Sequence, residues 1–242
     1  MQTRFKVGDM KKPSDAVYAT LSQALLTGSL PAGTQLIETR VAAIFGVSRE
    51  RVRKALHQLG HERLLELVPN KGAFVKAPTL EQARDIYEAR RVMEGGIVAR
   101  LAGRMSLQQL EGLRTHLAAE QAASHKGDRA ASIRLSGEFH LLLAEATGSN
   151  AVLHDLRELV SRTSMLVALF EESHASHCGC AEHEAILKQL ELGDVNGVLN
   201  ATYAHLSLIE TRLQHRKPAA PIEAEAVLRR AWDSREPQAT AD

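Results

Sequence analysis

Residues 174–183 read HASHCGCAEH and place three histidines and both of the chain's cysteines within ten residues. Thiolates and imidazoles are the side chains that hold Zn²⁺ and related ions. His177, Cys178, Cys180 and His183 could therefore form a local four-ligand knot. Two other histidines compete for His183. His140, in SGEFHLLLAEATG, has Ile133, Ser136, Leu143 and Thr147 along nearby helical rows. His205 follows Val198 and Thr202 and precedes Ile209 on one row, and His183 leads Ile186, Leu187 and Leu190. A lone histidine among apolar neighbours is usually a hydrogen-bonded core residue. Three on separate helices of one small bundle could instead gather a single Zn²⁺ or Ni²⁺ from facing helices.

Two chemistries follow from such a site. Three histidines with an open position could serve a metal-dependent hydrolase or lyase. Against that, Glu182 and Glu184 flank His183 but neither shares its helical face, so no carboxylate base is evident. The site could equally anchor a small ligand. In either case His177, Cys178 and Cys180 fall on the connection ahead of the helix that His183 begins. From there the cysteines could touch a ligand or sense oxidation.

The elements that must position these residues are helices. After Pro78 the apolar period is helical almost throughout, predicting helices near 79–103, 107–125, 128–147, 150–173, 179–192 and 194–215. Breaks fall at Gly127-Asp128, Gly148-Ser149-Asn150, around Gly179 and at Gly193-Asp194. The expected architecture is mainly α: an all-α bundle of about six helices over 78–217, behind a separate N-terminal domain over 1–77. Residues 218–242 form a Pro/Ala-rich tail, expected to be partly disordered with at most one short helix near 222–232.

The 242-residue chain has a net charge of +1, but residues 1–77 hold 12 Lys and Arg against 6 Asp and Glu, while the remainder is net acidic. A basic front suits a polyanionic partner. Ser14, behind Pro13, reads as a cap for a helix with Val17, Leu21, Ala24 and Leu25 inward, and LPAGTQL reads as a turn-rich connection. ETRVAAIFG is a short helix. After the turn at Gly46 comes VSRERVRKALHQLGHERL, capped by Ser48, with Val52, Ala55, Leu56 and Leu59 inward. Arg49, Arg51, Arg53 and Lys54 face outward, with Glu50 the one acid among them. Two short helices joined by FGVS form a helix-turn-helix, whose second helix enters a major groove of double-stranded DNA. Arg suits that position because its planar fork reaches two acceptors of guanine together. LLELVPNKGAFV then predicts a β-hairpin with a turn at Asn70-Lys71-Gly72, a wing that brings Lys71 and Lys76 near phosphates.

Residues 14–77 resemble the winged helix of the GntR family of bacterial transcription regulators. The matching pattern runs from LPAGTQLIE through VAAIFGVSRERVRKALHQL to LLELVPNKGAFV. That family usually reads SRTPVREAL where this chain has SRERVRKAL, so Arg51 replaces a proline and Lys54 a glutamate. The resemblance implies Arg49 and Arg53 as principal DNA contacts and Gly72 as the wing tip.

IYEARRVMEGGIVARLAG, SGEFHLLLAEATGSN and EHEAILKQLELGDVNGVLNATYAHL together resemble the FCD effector domain of the FadR subfamily of GntR regulators. The resemblance implies metal ligation by His140, His183 and His205, and places Ser136 where many members carry a ligating Asp. It also implies Arg90 as an anchor for a carboxylate effector; a salt bridge to Glu94, four residues on and on the same face, is the plainer reading, and both can hold if Glu94 orients Arg90 until an effector arrives. The function implied is a homodimeric regulator, expected to be a repressor, on a near-palindromic operator. Its effector would be an organic acid, sugar acid or amino acid. No stretch approaches the roughly 20 apolar residues of a membrane span. The first residues lack the apolar core of a signal peptide, and two cysteines at CxC spacing make no disulfide framework. The expected compartment is the cytoplasm.

Overall fold

The computed structural model describes residues 13–76, 79–171, 178–213 and 223–234. Its contacts divide the chain into two units, one comprising residues 1–77 and 218–242 and the other residues 78–217.

In the first unit, α1 (Pro13–Leu26) begins at the proline itself, so Ser14 lies inside the first turn rather than capping it. Proline is well suited to that position because its missing N–H would be unpaired there anyway. Strand β1 (Gln35–Leu36) leads into α2 (Glu38–Phe45), and α3 (Arg49–His61) follows. Gly46 takes φ 63° and donates its N–H to the carbonyl of Ala42, which closes α2 and permits the tight turn. Ser48 has the extended backbone of an N-cap, but its side chain makes no capping bond. The inward residues Val41, Ile44 and Phe45 of α2 and Val52, Ala55, Leu56 and Leu59 of α3 are all buried.

Strands β2 (Leu65–Val68) and β3 (Gly72–Val75) pair antiparallel around the three-residue turn Pro69-Asn70-Lys71. The stretch read as a plain connection contributes β1, giving a three-stranded sheet in the order β1-β3-β2. Gly72 is required twice. Its φ is 93°, and a Cβ there would come within 2.6 Å of the Leu36 carbonyl oxygen on β1. Helix α10 (Ala224–Asp233) completes this unit by packing on α1 and α2.

The second unit is a bundle of α4 (Leu80–Leu101), α5 (Leu107–His125), α6 (Arg129–Ala146), α7 (Asn150–Phe170), α8 (Cys178–Leu192) and α9 (Val195–Arg212). Short polar residues set the starts: capping boxes at Thr79/Gln82 and Ser106/Gln109, and side-chain caps at Asp128, Ser149 and Asp194. Gly179, expected at a break, lies within the first turn of α8. One apolar cluster joins Val98, Leu113, Phe139, Leu156 and Ile186. A second joins Ile86, Tyr87, Leu166, Leu206 and Ile209. The histidine site is embedded in this interior.

Candidate functional site

His140 on α6, His183 on α8 and His205 on α9 meet inside the bundle, all at most 2% exposed. Nε2 of His205 lies 3.2 Å from Nε2 of His183 and 3.2 Å from Nε2 of His140. Phe139 stacks on the His183 ring at a centroid distance of 4.2 Å and fixes its plane.

Each Nδ1 faces a carboxylate on the opposite side of its ring. His183 Nδ1 is 2.9 Å from Oε2 of Glu120 on α5, and His205 Nδ1 is 2.7 Å from Oε2 of Glu182 on α8. His140 Nδ1 stands 2.6 Å from Oε2 of Glu94 on α4, within ion-pair range but out of line for a hydrogen bond. Ionised carboxylates only accept, so they favour the tautomer with the proton on Nδ1 and leave the three Nε2 atoms as converging lone pairs. Three acceptors at such range repel unless something electrophilic lies between them. Protonation is a poor remedy. Burial, together with Arg90 and His183, outweighs the pull of Glu94 and holds the His140 imidazole down to about 4. Burial and the neighbouring histidines hold His205 down to about 3, despite Glu182. The donor set fits a divalent transition metal. Metal–nitrogen bonds of about 2.0–2.1 Å at octahedral to tetrahedral angles place ligand nitrogens roughly 2.8–3.4 Å apart, which brackets both observed separations.

Two of the braces are themselves braced. Glu94 accepts from Arg90 Nε at 2.5 Å, and Arg90 Nη1 donates to Thr163 Oγ1 at 2.9 Å. Burial would raise the Glu94 carboxyl, but Arg90 and His140 outweigh it and hold it well below the usual range. Glu182 accepts from Arg212 Nη2 at 2.6 Å. Burial pushes its carboxyl up, yet hydrogen bonds from His205 and Arg212 bring it below its ordinary value. Arg90 thus makes the salt bridge that its spacing from Glu94 predicts. It also retains a buried Nη2 without a hydrogen-bond partner.

Ser136 is half-buried and lines a cavity of about 60 Å³ with His205, Glu120, Ser132, Cys180 and Arg212. That is room for a few water-sized groups. Arg90 and Glu94 do not line it. Cys180 is buried, and its thiol is pushed up to about 11 by that burial and by Glu120 and Glu184. A thiol in that state is a poor nucleophile and redox sensor. Among the described residues the metal-type cluster consists of the three histidines, without Cys180. His177 and the side chain of Cys178 lie outside the described residues.

The sequence missed Glu120, Glu182 and Arg212. Arg212 carried a signal: it follows His205 by seven residues and Ile209 by three, the spacing of one helical face. Glu182 was set aside because it does not share the face of His183, and it faces the neighbouring helix instead. Glu120 carried no local signal, because its partner is on another helix.

On α3 the cations are exposed and partly engaged with acids. Arg53 contacts Glu50, Lys54 lies 3.9 Å from Glu50, and Arg49 lies 3.8 Å from Glu38 on α2. Arg51 has no ion-pair partner among the described residues. Lys71 is exposed at the wing turn beside Gly72. These pairs are open to solvent and therefore weak, so they leave the cations available to a polyanion.

The family of bacterial regulatory proteins called the gntR family matches residues 13–75, and the FCD domain family matches residues 85–208. The HTH-type transcriptional regulator YdhC of Bacillus subtilis is 25% identical over 201 residues, covering 82% of this chain and 89% of that protein. The HTH-type transcriptional repressor RspR of Escherichia coli K12 is 24% identical over 196 residues, covering 80% and 85%. Escherichia coli McbR/YncC shares the fold, with a TM-score of 0.73 at 22% identity over 82% of this chain and 95% of that one. The matched family is one of regulatory proteins, and YdhC and RspR are named as a transcriptional regulator and a repressor, so a hydrolase or lyase reading of the histidine site is set aside.

Proposed function

The chain belongs to the GntR family of bacterial regulatory proteins and carries an FCD domain, and from that premise we propose that it is a homodimeric, cytoplasmic repressor controlled by a small carboxylate. GntR regulators bind DNA operators, and FCD domains respond to small molecules. In this reading α3 enters the major groove of a near-palindromic operator, with Ser48, Arg49, Arg51, Arg53 and Lys54 at or near its leading turn. The wing brings Lys71 to the phosphate backbone, and Gly72 sets the shape of its turn. No helix among the described residues is long and apolar enough to cross a membrane.

The effector domain holds a divalent transition metal, Zn²⁺ or Ni²⁺, through His140, His183 and His205. The observation that carries this is the convergence of three Nε2 lone pairs, each ring facing a carboxylate through its Nδ1. Such an ion supplies a fixed positive charge able to hold an acid's oxygen. The chain's own residues do the rest. Glu94, Glu120 and Glu182 orient the rings. Ser136 leaves room and a hydroxyl where many relatives of this type have an Asp. The unpartnered Nη2 of Arg90 offers a buried donor for an effector carboxylate. An organic acid, sugar acid or amino acid that binds one dimer geometry better than another shifts the population between DNA-matched and unmatched forms.

Metal analysis of purified full-length protein tests the site. His140→Ala is expected to lose the ion, and Ser136→Asp to retain it more tightly by restoring a carboxylate at the fourth position. Unchanged metal content in the first variant and unchanged affinity in the second would overturn the reading.

A further inference from the structure

The cavity beside the histidines has two different ends. Glu120, Ser132, Ser136, Glu171, His205 and Arg212 line it. Helices α6 and α9 give it a direction. Ser136 lies one turn before His140 on α6, and Ser132 one turn earlier still. On α9, His205 is followed two turns later by Arg212, roughly 10 Å along the axis. At that far level stands Glu171, the C-cap of α7. Its main-chain carbonyl accepts from Arg129 of α6 at 2.9 Å, and its carboxylate is 4.0 Å from Arg212. His205 therefore bounds one end of the cavity and Glu171 the other.

The charges on this wall do not cancel. Arg212 is engaged by Glu182, 2.6 Å from its Nη2. Glu120 turns Oε2 to the imidazole of His183 and has no ion pair with a guanidinium or ammonium among the described residues. Glu171 is more isolated. Its side chain is 6% exposed, and its carboxylate accepts no hydrogen bond among the described residues. Burial pushes that carboxyl above its ordinary value, against the pull of Arg212 and Arg129. A buried carboxylate without a donor is costly, and one that lines a cavity can take its donor from a ligand. A plain acid would do the reverse. It would bring a second negative charge towards Glu171 and Glu120 across a space only a few water-sized groups wide.

We propose that the effector is a small α-amino acid, held as the zwitterion with its ammonium on Glu171 and its carboxylate towards His205 and Ser136. The place of the carboxylate rests on the function proposed above, in which an ion at the histidines holds an acid's oxygen. The ammonium site does not depend on that ion, because Glu171 is not one of the residues that brace the rings. A zwitterion adds no net charge to the cavity and meets an opposite charge at each end. Size agrees with this. A water-sized group needs about 10–15 Å³, so a cavity of about 60 Å³ holds about four to six non-hydrogen atoms. That is the size of glycine or alanine, and sugar acids are too large for it.

Calorimetric titration of the full-length protein, with and without added Zn²⁺, tests this with three probes: alanine, lactate and ethylamine. Lactate has a hydroxyl where alanine has its ammonium, and ethylamine lacks the carboxylate. Alanine is expected to bind about ten- to a hundredfold more tightly than either, the scale of a hydrogen bond to a charged group. Glu171→Gln is expected to remove the advantage over lactate without changing the metal content of the same samples. Glu171→Asp keeps the charge and is expected to keep the order. Lactate binding as tightly as alanine to the original chain would overturn the amino-acid assignment while leaving a carboxylate effector standing. Ethylamine binding as tightly as alanine, or a preference for alanine that survives Glu171→Gln, would overturn it as well. If none of the three binds in either state, the carboxylate reading falls together with this one. A preference for alanine in protein that takes up no Zn²⁺ would defeat the metal reading alone.

Discussion

Nδ1 of His205 lies 2.7 Å from Oε2 of Glu182, the residue next to His183 in the chain. Helix α8 therefore delivers one imidazole to the centre and, one residue earlier, the carboxylate that aims a second imidazole from α9. The pair is part of a line from Arg212 through Glu182 to His205. Replacing a carboxylate that orients a metal-bound histidine typically costs about 10–100-fold in metal affinity. Glu182→Gln is expected to weaken metal retention by that order without unfolding the protein, as read by competition with a chelator of known affinity. Retention equal to that of the original chain would show that the contact has no orienting role.

Glu94 and Arg90 behave differently, because their side chains are only 3% and 4% exposed. Removing one member of a buried pair strands the other's charge, at a cost of about 3–5 kcal/mol. Glu94→Gln is expected to lose stability on that scale in denaturant titration, and the double variant Glu94→Gln/Arg90→Met to recover part of it. Equal losses in both would mean that the stranded guanidinium is not the cause.

Much of this arrangement was open to reading from the chain alone, for a physical reason. Helix limits are local. Thr79, Ser106, Asp128, Ser149 and Asp194 announce starts, and the apolar period fixes which face turns inward, so three histidines on inward faces could be suspected of meeting. Contacts made across helices leave no such trace. Nothing near Glu120 points to His183, and nothing in residues 224–233 points to α2. Strand β1 escaped notice because two residues carry no alternation, and it exists only because β3 offers a partner at Phe74 and Ala73. Ser14 misled because a serine after a proline looks like a cap when the proline is itself the first helical residue.

The metal-free protein should be acid-sensitive. His140 and His205 are lowered from 6.5 to about 4 and about 3. Between the ordinary value and the lowered ones the unfolded chain binds more protons than the folded one. The stability that depends on neutral imidazoles is thus intact above about pH 6.5 and is lost progressively as pH falls towards 4 and below. The slope approaches about 1.4 kcal/mol per pH unit for each imidazole. Urea midpoints from pH 7.5 to 4.5 are expected to fall, and His205→Asn is expected to flatten the decline. A pH-independent midpoint would show that these rings are not buried neutral.

On the DNA side, the free protein holds Arg53 and Lys54 close to Glu50, and Arg49 within range of Glu38. Operator phosphates and base edges must compete with those acids, whereas Arg51 carries no such debt among the described residues. Arg49→Ala and Arg53→Ala are expected to weaken binding roughly ten- to a hundredfold on a duplex selected from a random pool by the full-length protein, with relaxed preference at one position each. Lys71→Ala should weaken all sequences alike and reduce the salt dependence by about one counterion. Glu50→Gln tests the competition itself. Freed of their acid, Arg53 and Lys54 should bind DNA more tightly and with a steeper dependence on salt. Looser binding on removing Glu50 would mean that the acid holds the arginine in its reading position rather than away from it.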